Sequence, residues 1–185
     1  MARFAPATRD SVPEAQRVVF DEIVGSGAPP MNGPGSITIN VPEAGKRASA
    51  LNQYLREESS LPKKVQELAM LVTAREMDCQ YVWNAHAASA KAEGVPAAVV
   101  DAIREGDEMP PLAPDEQAVI SYGQEFYRTH RVSSGAFQAA LELLGKQGLV
   151  ELTMIMGNYA LLAFLVNSFD SSLPATRTEK ILPIA

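Results

Sequence analysis

Apolar residues recur every three to four positions along most of the chain, the spacing that predicts amphipathic α-helices. No segment of useful length alternates apolar and polar residues as a strand does, and no internal repeat is evident. The sequence therefore predicts an all-α fold of about seven to eight helices, in a single domain over residues 1–185. The predicted helices span residues 12–24, 42–55, 62–75, 79–94, 96–105, 115–130, 133–144 and 148–169.

Residues that begin or end helices lie between these segments. Ser60, two positions before a proline, is typical of a helix N-cap, and we expect Asp78 to cap the next helix. Gly94 and Gly106 end the two helices that precede them. Residues 25–41, GSGAPPMNGPGSITINV, predict a long loop that packs over a functional site or over a neighbouring surface.

Composition narrows the possible functions. The chain is 46% hydrophobic and 21% charged, which is ordinary for a globular protein. The net charge of −6, without a dense cluster of Lys or Arg, argues against binding to nucleic acid. The single cysteine excludes an intramolecular disulfide. No apolar run near residue 1 is long enough for a signal peptide, so we expect a cytoplasmic protein.

The apolar stretch over residues 149–169 approaches the length of a membrane span. It is interrupted by Glu151, Asn158 and Asn167, and it lacks basic residues at its far end. We therefore expect a buried core or interface helix and no association with a membrane. Because the stretch is too apolar all round for the surface of a monomer, it predicts a homo-oligomer.

Candidate chemistry is concentrated in one short segment. The chain has two histidines, one cysteine and one tryptophan, and Cys79, Trp83 and His86 fall within eight residues. Cys79 and His86 are seven positions apart, which places them within about 20° of each other on a helix. Glu67 lies on the preceding predicted helix, and a short turn between the helices would let the carboxylate, thiol and imidazole converge. Such a set suits general acid–base catalysis.

Structural roles for the same residues stay open at this point. A single cysteine at a helix start is either an activated thiolate or a small buried hydrophobic residue. Glu67 is more informative, because burying a carboxylate without a partner costs several kcal/mol, and His86 is the obvious partner. The other histidine, His130, lies on a different predicted helix. No group of ligands has metal-binding spacing, so we expect no metal site.

Residues 61–94, LPKKVQELAMLVTAREMDCQYVWNAHAASAKAEG, resemble the carboxymuconolactone decarboxylase family, which shares its all-α fold with the alkyl hydroperoxidase AhpD. The family pattern is a glutamate, then Cys-x-x-Cys after a dozen residues, then a histidine four positions beyond the second cysteine. Glu67, Cys79 and His86 match this pattern. Val82 replaces the second cysteine, so the chain resembles a branch that lacks the resolving thiol of the peroxidases.

The resemblance implies an AhpD-like helical domain that assembles into a homotrimer or homohexamer. It also implies an enzyme that needs no cofactor, in which Glu67 and His86 form an acid–base pair acting on a lactone or a related carbon acid. Cys79 is the third catalytic candidate. The rings of Tyr81 and Trp83 are candidates for contacting a planar substrate.

Two alternative functions remain open on the sequence. One is a thiol peroxidase that uses Cys79 with an external thiol. The other is a helical oligomer that binds a small molecule without catalysis. A decarboxylase should also bind the carboxylate of its substrate. Arg56 and Arg75 are candidates for that role, although nothing in the sequence places either beside the acid–base pair.

Overall fold

The chain folds into helices packed around one central helix. The computed structural model describes residues 3–174, 176 and 179–184, and within these residues it contains no β-strand. The all-α prediction is therefore confirmed. The α-helices of the described residues are α1 (Arg17–Val24), α2 (Gly33–Thr38), α3 (Pro42–Gln53), α4 (Lys63–Glu76), α5 (Gln80–Ala92), α6 (Ala97–Glu105), α7 (Pro114–Thr129) and α8 (Ser134–Ser168).

Helix α4 occupies the centre of the fold. It packs against α5, α6, α7 and α8, and every residue from 65 to 74 is buried. A helix surrounded in this way needs apolar residues on all sides, and only Gln66, Glu67 and Thr73 depart from that requirement. Buried polar groups need hydrogen-bond partners, so these three residues mark the specific polar contacts of the core.

Helix α8 is a second core helix, and it is broken at Gly145. The backbone angles there are φ 67° and ψ −179°, which lie outside the helical region and favour glycine. The sequence predicted separate helices over residues 133–144 and 148–169, and the break falls between them. Among the described helices, only α8 is long and apolar enough to cross a membrane, yet half of its most apolar part is buried. Its packing on α4 and α7 makes it part of the core.

The solvent side of α8 carries a row of apolar side chains at helical spacing. We call this row, Val150, Met154, Leu161 and Phe164, the α8 outer face. Phe164 exposes 66% of its surface and Val150 exposes 57%. Exposed apolar rows of this kind mark contact surfaces more often than free monomer surface.

Helix α1 begins later than the sequence predicted. Two short 3₁₀ turns, Arg9–Ser11 and Glu14–Gln16, precede it, and the helix proper starts at Arg17 rather than near residue 12. Pro13 lies between the two turns and has no N–H to donate, which interrupts regular helical hydrogen bonding.

The predicted loop over residues 25–41 contains a helix, α2. Its first residue, Gly33, has φ 69°, and a Cβ there would lie 2.3 Å from the Tyr81 hydroxyl oxygen. Glycine is therefore required both by the backbone and by the close approach of α5. The segment is held against the rest of the protein, where it forms part of a cavity wall.

The starts of α4 and α5 also differ from the prediction. Ser60 does not cap α4, because its backbone N–H and its hydroxyl both donate to Glu151 Oε2, at 2.9 and 2.6 Å. Asp78 does not cap α5, because it adopts the left-handed conformation (φ 45°) and pairs with Arg75 at 3.5 Å. Cys79 takes the N-cap position of α5 instead. In both places a partner outside the helix engages the predicted capping side chain.

Residues 179–184, which we call the C-terminal strap, lie across α4, α5 and α6. Four consecutive backbone carbonyls of the strap accept hydrogen bonds from side chains of these helices. Leu182 is fully buried among them and anchors the strap in the core. The hydrogen bonds run from Trp83 Nε1 to Lys180 O (3.0 Å), from Arg104 Nη1 to Ile181 O (3.2 Å), from Gln80 Nε2 to Leu182 O (3.1 Å) and from Arg75 Nη1 to Pro183 O (2.7 Å).

Glu151 on α8 is buried and ties this helix to the segment that precedes α4. Tyr54 and Gln147 donate to Oε1 at 2.8 and 3.0 Å, while Ser60 donates twice to Oε2. Burial raises the pKa of this carboxyl, but the hydrogen bonds from Ser60, Gln147 and Tyr54 outweigh burial and lower the pKa to about 2. The folded state therefore favours the ionised carboxylate.

We expect Glu151→Gln to lower the free energy of unfolding by on the order of 1–3 kcal/mol at neutral pH, because the amide cannot accept all of these hydrogen bonds. The folded-state pKa lies below the ordinary value of 4.5, so the stabilisation is complete above 4.5 and is lost as the pH falls towards 2. Urea unfolding of both proteins across this range measures the effect. The exposed control Glu142→Gln, on the same helix, should change little. A Glu151 effect that did not shrink on acidification would contradict the assignment.

Candidate active site

Glu67 and His86 meet in the interior between α4 and α5. The two helices pack side by side, and His86 Nδ1 lies 2.8 Å from Glu67 Oε2. Both residues are buried, with 7% of His86 and 5% of Glu67 exposed. A buried carboxylate needs a partner. In the structure, the partner of Glu67 is His86.

The contact determines which nitrogen of His86 is available. An ionised carboxylate only accepts hydrogen bonds, so Nδ1 must carry a proton and donate to Glu67. Among the described residues, no other group hydrogen-bonds to the ring, which leaves Nε2 free. In the neutral ring Nε2 is a base, and in the protonated ring it is an acid.

His86 forms part of the wall of a cavity of about 280 Å³ between α2, α3, α5 and α8. Most of the lining is apolar or aromatic, as is usual for sites that bind small organic molecules. The sequence left open whether the segment over residues 25–41 covers the site. In the structure, this segment forms one side of the cavity. The lining residues are Pro34, Gly35, Thr38, Gly45, Ala48, Ser49, Asn52, Tyr81, Val82, Ala85, His86, Tyr159 and Leu162.

Tyr159, which sequence analysis missed, supports the histidine from α8. Its ring meets the His86 ring edge to face, with the centroids 5.1 Å apart. Burial raises the pKa of Tyr159 to about 12, with the Arg56 charge opposing and the Glu67 charge adding to the increase. The hydroxyl therefore stays protonated at neutral pH and can donate a hydrogen bond into the cavity. No sequence signal identifies it, because it lies 73 positions beyond His86 in the chain.

Tyr81, a candidate for contacting substrate, lines the cavity next to Val82. Burial raises the pKa of the Tyr81 hydroxyl, so it too is a neutral donor. Val82 occupies the position of the second family cysteine and presents an apolar side chain to the cavity. The wall around His86 on α5 is therefore formed by an aromatic ring and an aliphatic side chain.

Cys79 lies outside the cavity lining and is fully buried at the N-cap of α5. Burial raises the pKa of its thiol, and hydrogen bonds from the backbone N–H groups of Val82 and Tyr81 offset only part of that increase. Of the two roles that the sequence left open for Cys79, the structure therefore favours the small buried residue over the activated thiolate. Desolvation of a charged sulfur outweighs the attraction of the unpaired backbone N–H groups.

Trp83 was predicted to contact substrate, but the structure places it elsewhere. Its side chain is only 1% exposed, and Nε1 donates to Lys180 O of the C-terminal strap. It does not line the cavity. Each residue of a helix turns by about 100°, so Val82 and His86 can face the cavity while Trp83 faces the strap.

Of the two candidate arginines, the structure brings one to the pair. Arg56 Nη2 lies 4.0 Å from Glu67 Oε1, whereas His86 contacts the other carboxylate oxygen, Oε2. Arg75 instead pairs with Asp78 and donates to the strap. The segment Tyr54–Glu58 is a π-helical turn that continues α3, so a position counted along a regular helix does not predict where Arg56 points.

Residues 42–125 match the model of the Carboxymuconolactone decarboxylase family. This segment includes Arg56, Glu67, Cys79 and His86. No functionally curated protein matches the sequence significantly.

Solved structures with a similar fold are known, and three of them are 14% to 16% identical to this chain. An AhpD core protein from Ralstonia eutropha JMP134, described as peroxidase-related, is 16% identical with a TM-score of 0.67, covering 94% of this chain and 93% of its own. A putative antioxidant defence protein AhpD from Agrobacterium tumefaciens is 16% identical with a TM-score of 0.63, covering 73% and 93%. A cysteine-to-alanine variant of the debrominase Bmp8, bound to 2,3,4-tribromopyrrole, is 14% identical with a TM-score of 0.66, covering 95% of both chains.

These comparisons agree with the helical architecture and with the motif of α4 and α5. The segment over residues 42–125 is similar to the carboxymuconolactone decarboxylase family, and the fold of the chain is AhpD-like.

Proposed function

We propose that this protein is a cofactor-independent enzyme of the carboxymuconolactone decarboxylase type, a carboxy-lyase acting on a lactone or a related carbon acid. The observation that carries the proposal is the 2.8 Å contact between His86 Nδ1 and Glu67 Oε2 at the wall of a small cavity. A buried imidazole held by a carboxylate is a poised acid–base group.

The proposed chemistry needs one proton and no electron carrier. Loss of CO₂ from an unsaturated lactone acid breaks a carbon–carbon bond and leaves the electron pair in a dienolate. The protonated His86 ring donates its Nε2 proton to a carbon of the dienolate, while Glu67 stabilises the positive charge on the ring. Solvent then returns a proton to His86. Because no electrons are gained or lost overall, we expect no cofactor.

The AhpD-like fold by itself does not choose a reaction. It occurs in proteins described as peroxidase-related and in a debrominase. The choice therefore rests on the side chains of this chain. A buried cysteine without a second cysteine favours proton transfer over thiol chemistry, because only a thiolate attacks effectively and a mixed disulfide needs another thiol to resolve it.

The proposal is tested by offering 5-oxo-2,5-dihydrofuran-2-carboxylate and substituted relatives, and by following the release of CO₂. Decarboxylation of this ring gives a conjugated dienolate, whereas the saturated 5-oxotetrahydrofuran-2-carboxylate cannot form one. We expect turnover of at least one unsaturated lactone acid and none of the saturated compound. If no unsaturated lactone acid in such a series released CO₂, the carboxy-lyase proposal would be wrong.

For the thiol we predict that Cys79→Ser retains nearly all native activity, and that the wild type shows negligible turnover of organic hydroperoxides with a dithiol donor. Cys79 is fully buried and burial raises the pKa of its thiol, so little thiolate is available to attack a peroxide, and Val82 cannot close an internal disulfide. Cumene hydroperoxide consumption, measured for both proteins, checks this. Sustained peroxide turnover that disappeared in Cys79→Ser would instead support the thiol peroxidase alternative.

We also propose that the protein acts in the cytoplasm and binds neither nucleic acid nor a membrane.

For its assembly, we propose a homotrimer or homohexamer formed through the α8 outer face. Light scattering should return a multiple of the 19.9 kDa chain mass. The double variant Leu161→Glu/Phe164→Glu should dissociate the oligomer, because it introduces charges into an apolar contact. The control Val18→Glu, at an exposed apolar position on α1, should not. A stable wild-type monomer at micromolar concentration would contradict this proposal.

A further inference from the structure

The chain has five tyrosines, and the two that line the cavity differ from the rest in their hydrogen bonding. The hydroxyls of Tyr81 and Tyr159 have no hydrogen-bond partner among the described residues. Buried polar groups almost always have a partner, so two exceptions in one cavity indicate groups that are available to a ligand. The other three hydroxyls are bonded within the fold: Tyr54 to Glu151, Tyr122 to Thr153, and Tyr127 to Thr73 and Met156.

Of the two cavity tyrosines, Tyr159 lies beside the proton-transferring group. Its ring contacts the His86 ring edge to face, with the centroids 5.1 Å apart, and only 3% of the residue is exposed. The Tyr81 hydroxyl lies instead against Gly33 of α2. A small molecule that contacts His86 Nε2 in this cavity therefore has the Tyr159 ring next to it.

The charged groups nearby leave the Tyr159 hydroxyl unbonded. Burial is the main reason why its pKa rises to about 12, with the Arg56 charge lowering the pKa and the Glu67 charge raising it. The hydroxyl is thus close enough to both charges to be influenced by them. Within the described part of the chain it nevertheless hydrogen-bonds to neither residue. Its proton is therefore free to be donated to a molecule in the cavity.

The proposed reaction needs a hydrogen-bond donor of this kind. Loss of CO₂ from an unsaturated lactone acid places negative charge on the ring carbonyl oxygen of the dienolate, while the new proton is added to a carbon conjugated with that oxygen. A donor aimed at the oxygen stabilises the charge as it develops, and the effect is larger in a dry, largely apolar cavity than in water. Tyr159 and His86 are neighbouring groups that can divide these two tasks.

We propose that the Tyr159 hydroxyl binds the ring carbonyl oxygen of the substrate and stabilises the negative charge that develops there. Tyr159 is then a catalytic residue, and the substrate class is narrowed to rings that carry a carbonyl oxygen. The hydroxyl keeps its proton throughout: the carbon–carbon bond to CO₂ breaks, and the proton added to carbon comes from His86 Nε2. This inference rests on the proposed function and adds to it the group that binds the oxygen.

Tyr159→Phe isolates the hydroxyl, because the ring and its contact with His86 remain. No hydrogen bond within the protein is lost, so this variant should unfold at the same urea concentration as the wild type or at a higher one. The control Tyr122→Phe loses the contact with Thr153 and should unfold at a lower concentration. Equal destabilisation of the two variants would mean that the Tyr159 hydroxyl has a structural partner, which would overturn the proposal.

Binding of the carbonyl oxygen is tested with two probes that do not react. They are 5-oxotetrahydrofuran-2-carboxylate and tetrahydrofuran-2-carboxylate, which share the ring and the carboxylate and differ in the lactone carbonyl. In calorimetry the wild type and Tyr122→Phe should bind the lactone about 2- to 10-fold more tightly, the range expected for one hydrogen bond. Tyr159→Phe should bind both probes equally. An unchanged preference in Tyr159→Phe, no preference in the wild type, or no binding of either probe at millimolar concentration would contradict the proposal.

The catalytic part is tested by the kinetics of CO₂ release. Because most of the charge develops in the transition state, Tyr159→Phe should lose on the order of 10²-fold in kcat, with a much smaller change in KM. A higher KM with unchanged kcat would show binding without catalysis and refute this role. If CO₂ release failed altogether while the probe preference depended on Tyr159, only the carboxy-lyase proposal would be wrong. Normal CO₂ release by both the wild type and Tyr159→Phe would instead refute the present inference alone.

Discussion

His86→Ala is expected to lose at least about 10²-fold in kcat on the true substrate, the usual contribution of a general acid. The variant keeps Glu67 and the cavity walls but has no group that can deliver a proton to the dienolate. The hydroxyls of Tyr81 and Tyr159 cannot take over this proton donation, because their raised pKa values make them poor acids. Steady-state CO₂ release measures the loss.

The matched control is the other histidine of the chain. His130 ends α7 with φ 60°, a conformation that asparagine also tolerates, so His130→Asn should fold normally. It lies outside the cavity that His86 lines, and its removal should leave kcat unchanged. Equal activity of His86→Ala and the wild type would place the catalytic group elsewhere.

Trp83→Ala is expected to lower the free energy of unfolding by about 3–5 kcal/mol, as truncation of a buried large aromatic residue usually does. The side chain is 1% exposed, and its loss leaves a void between α5 and the core. It also removes the hydrogen bond to Lys180 O, one of the four that side chains donate to backbone carbonyls of the C-terminal strap. Chemical denaturation monitored by circular dichroism gives the change.

A milder variant keeps this prediction testable if Trp83→Ala does not fold. Trp83→Phe retains most of the volume and loses the indole N–H, so it should be destabilised less while KM stays at the wild-type value. Had Trp83 contacted the substrate, KM would rise and the stability would hardly change. The two measurements together separate a core residue from a binding residue.

Local pattern was sufficient to predict most of the helices, although not α2, and the contact between Glu67 and His86. Helical spacing predicts the apolar faces of α4 and α5 from neighbouring residues alone. Glu67 stands out because it interrupts a run that is otherwise buried, and a buried carboxylate needs a partner. His86 was the partner within reach. The pairing therefore followed from one short segment and from one energetic requirement.

Contacts between distant parts of the chain could not be predicted in this way. Trp83 and Lys180 are separated by 97 positions, so a strap over α5 leaves no trace near the motif. Tyr159 on α8 contacts His86 although the two residues are 73 positions apart, so nothing near the motif indicates this contact either. Arg56 lies in a π-helical turn, which shifts side-chain directions away from those of a regular helix.

The two roles left open for Cys79 could not be separated on the sequence, for a physical reason. A helix start lowers the pKa of a thiol through nearby backbone N–H groups, which sequence can indicate. Burial raises it, and burial depends on what the rest of the fold packs against the residue. Here α5 begins inside the core and Cys79 is fully buried, so burial has the larger effect on the pKa of the thiol.

A double-mutant cycle in kcat tests most directly whether Glu67 and His86 act as one unit. The proteins are the wild type, Glu67→Gln, His86→Ala and the double variant, all assayed for CO₂ release. If Glu67 acts only through the imidazole, it has nothing to stabilise once His86 is gone, so the double variant should be no slower than His86→Ala. Losses that instead multiplied, with Glu67→Gln slowing His86→Ala as much as it slows the wild type, would contradict a shared acid–base role for the pair.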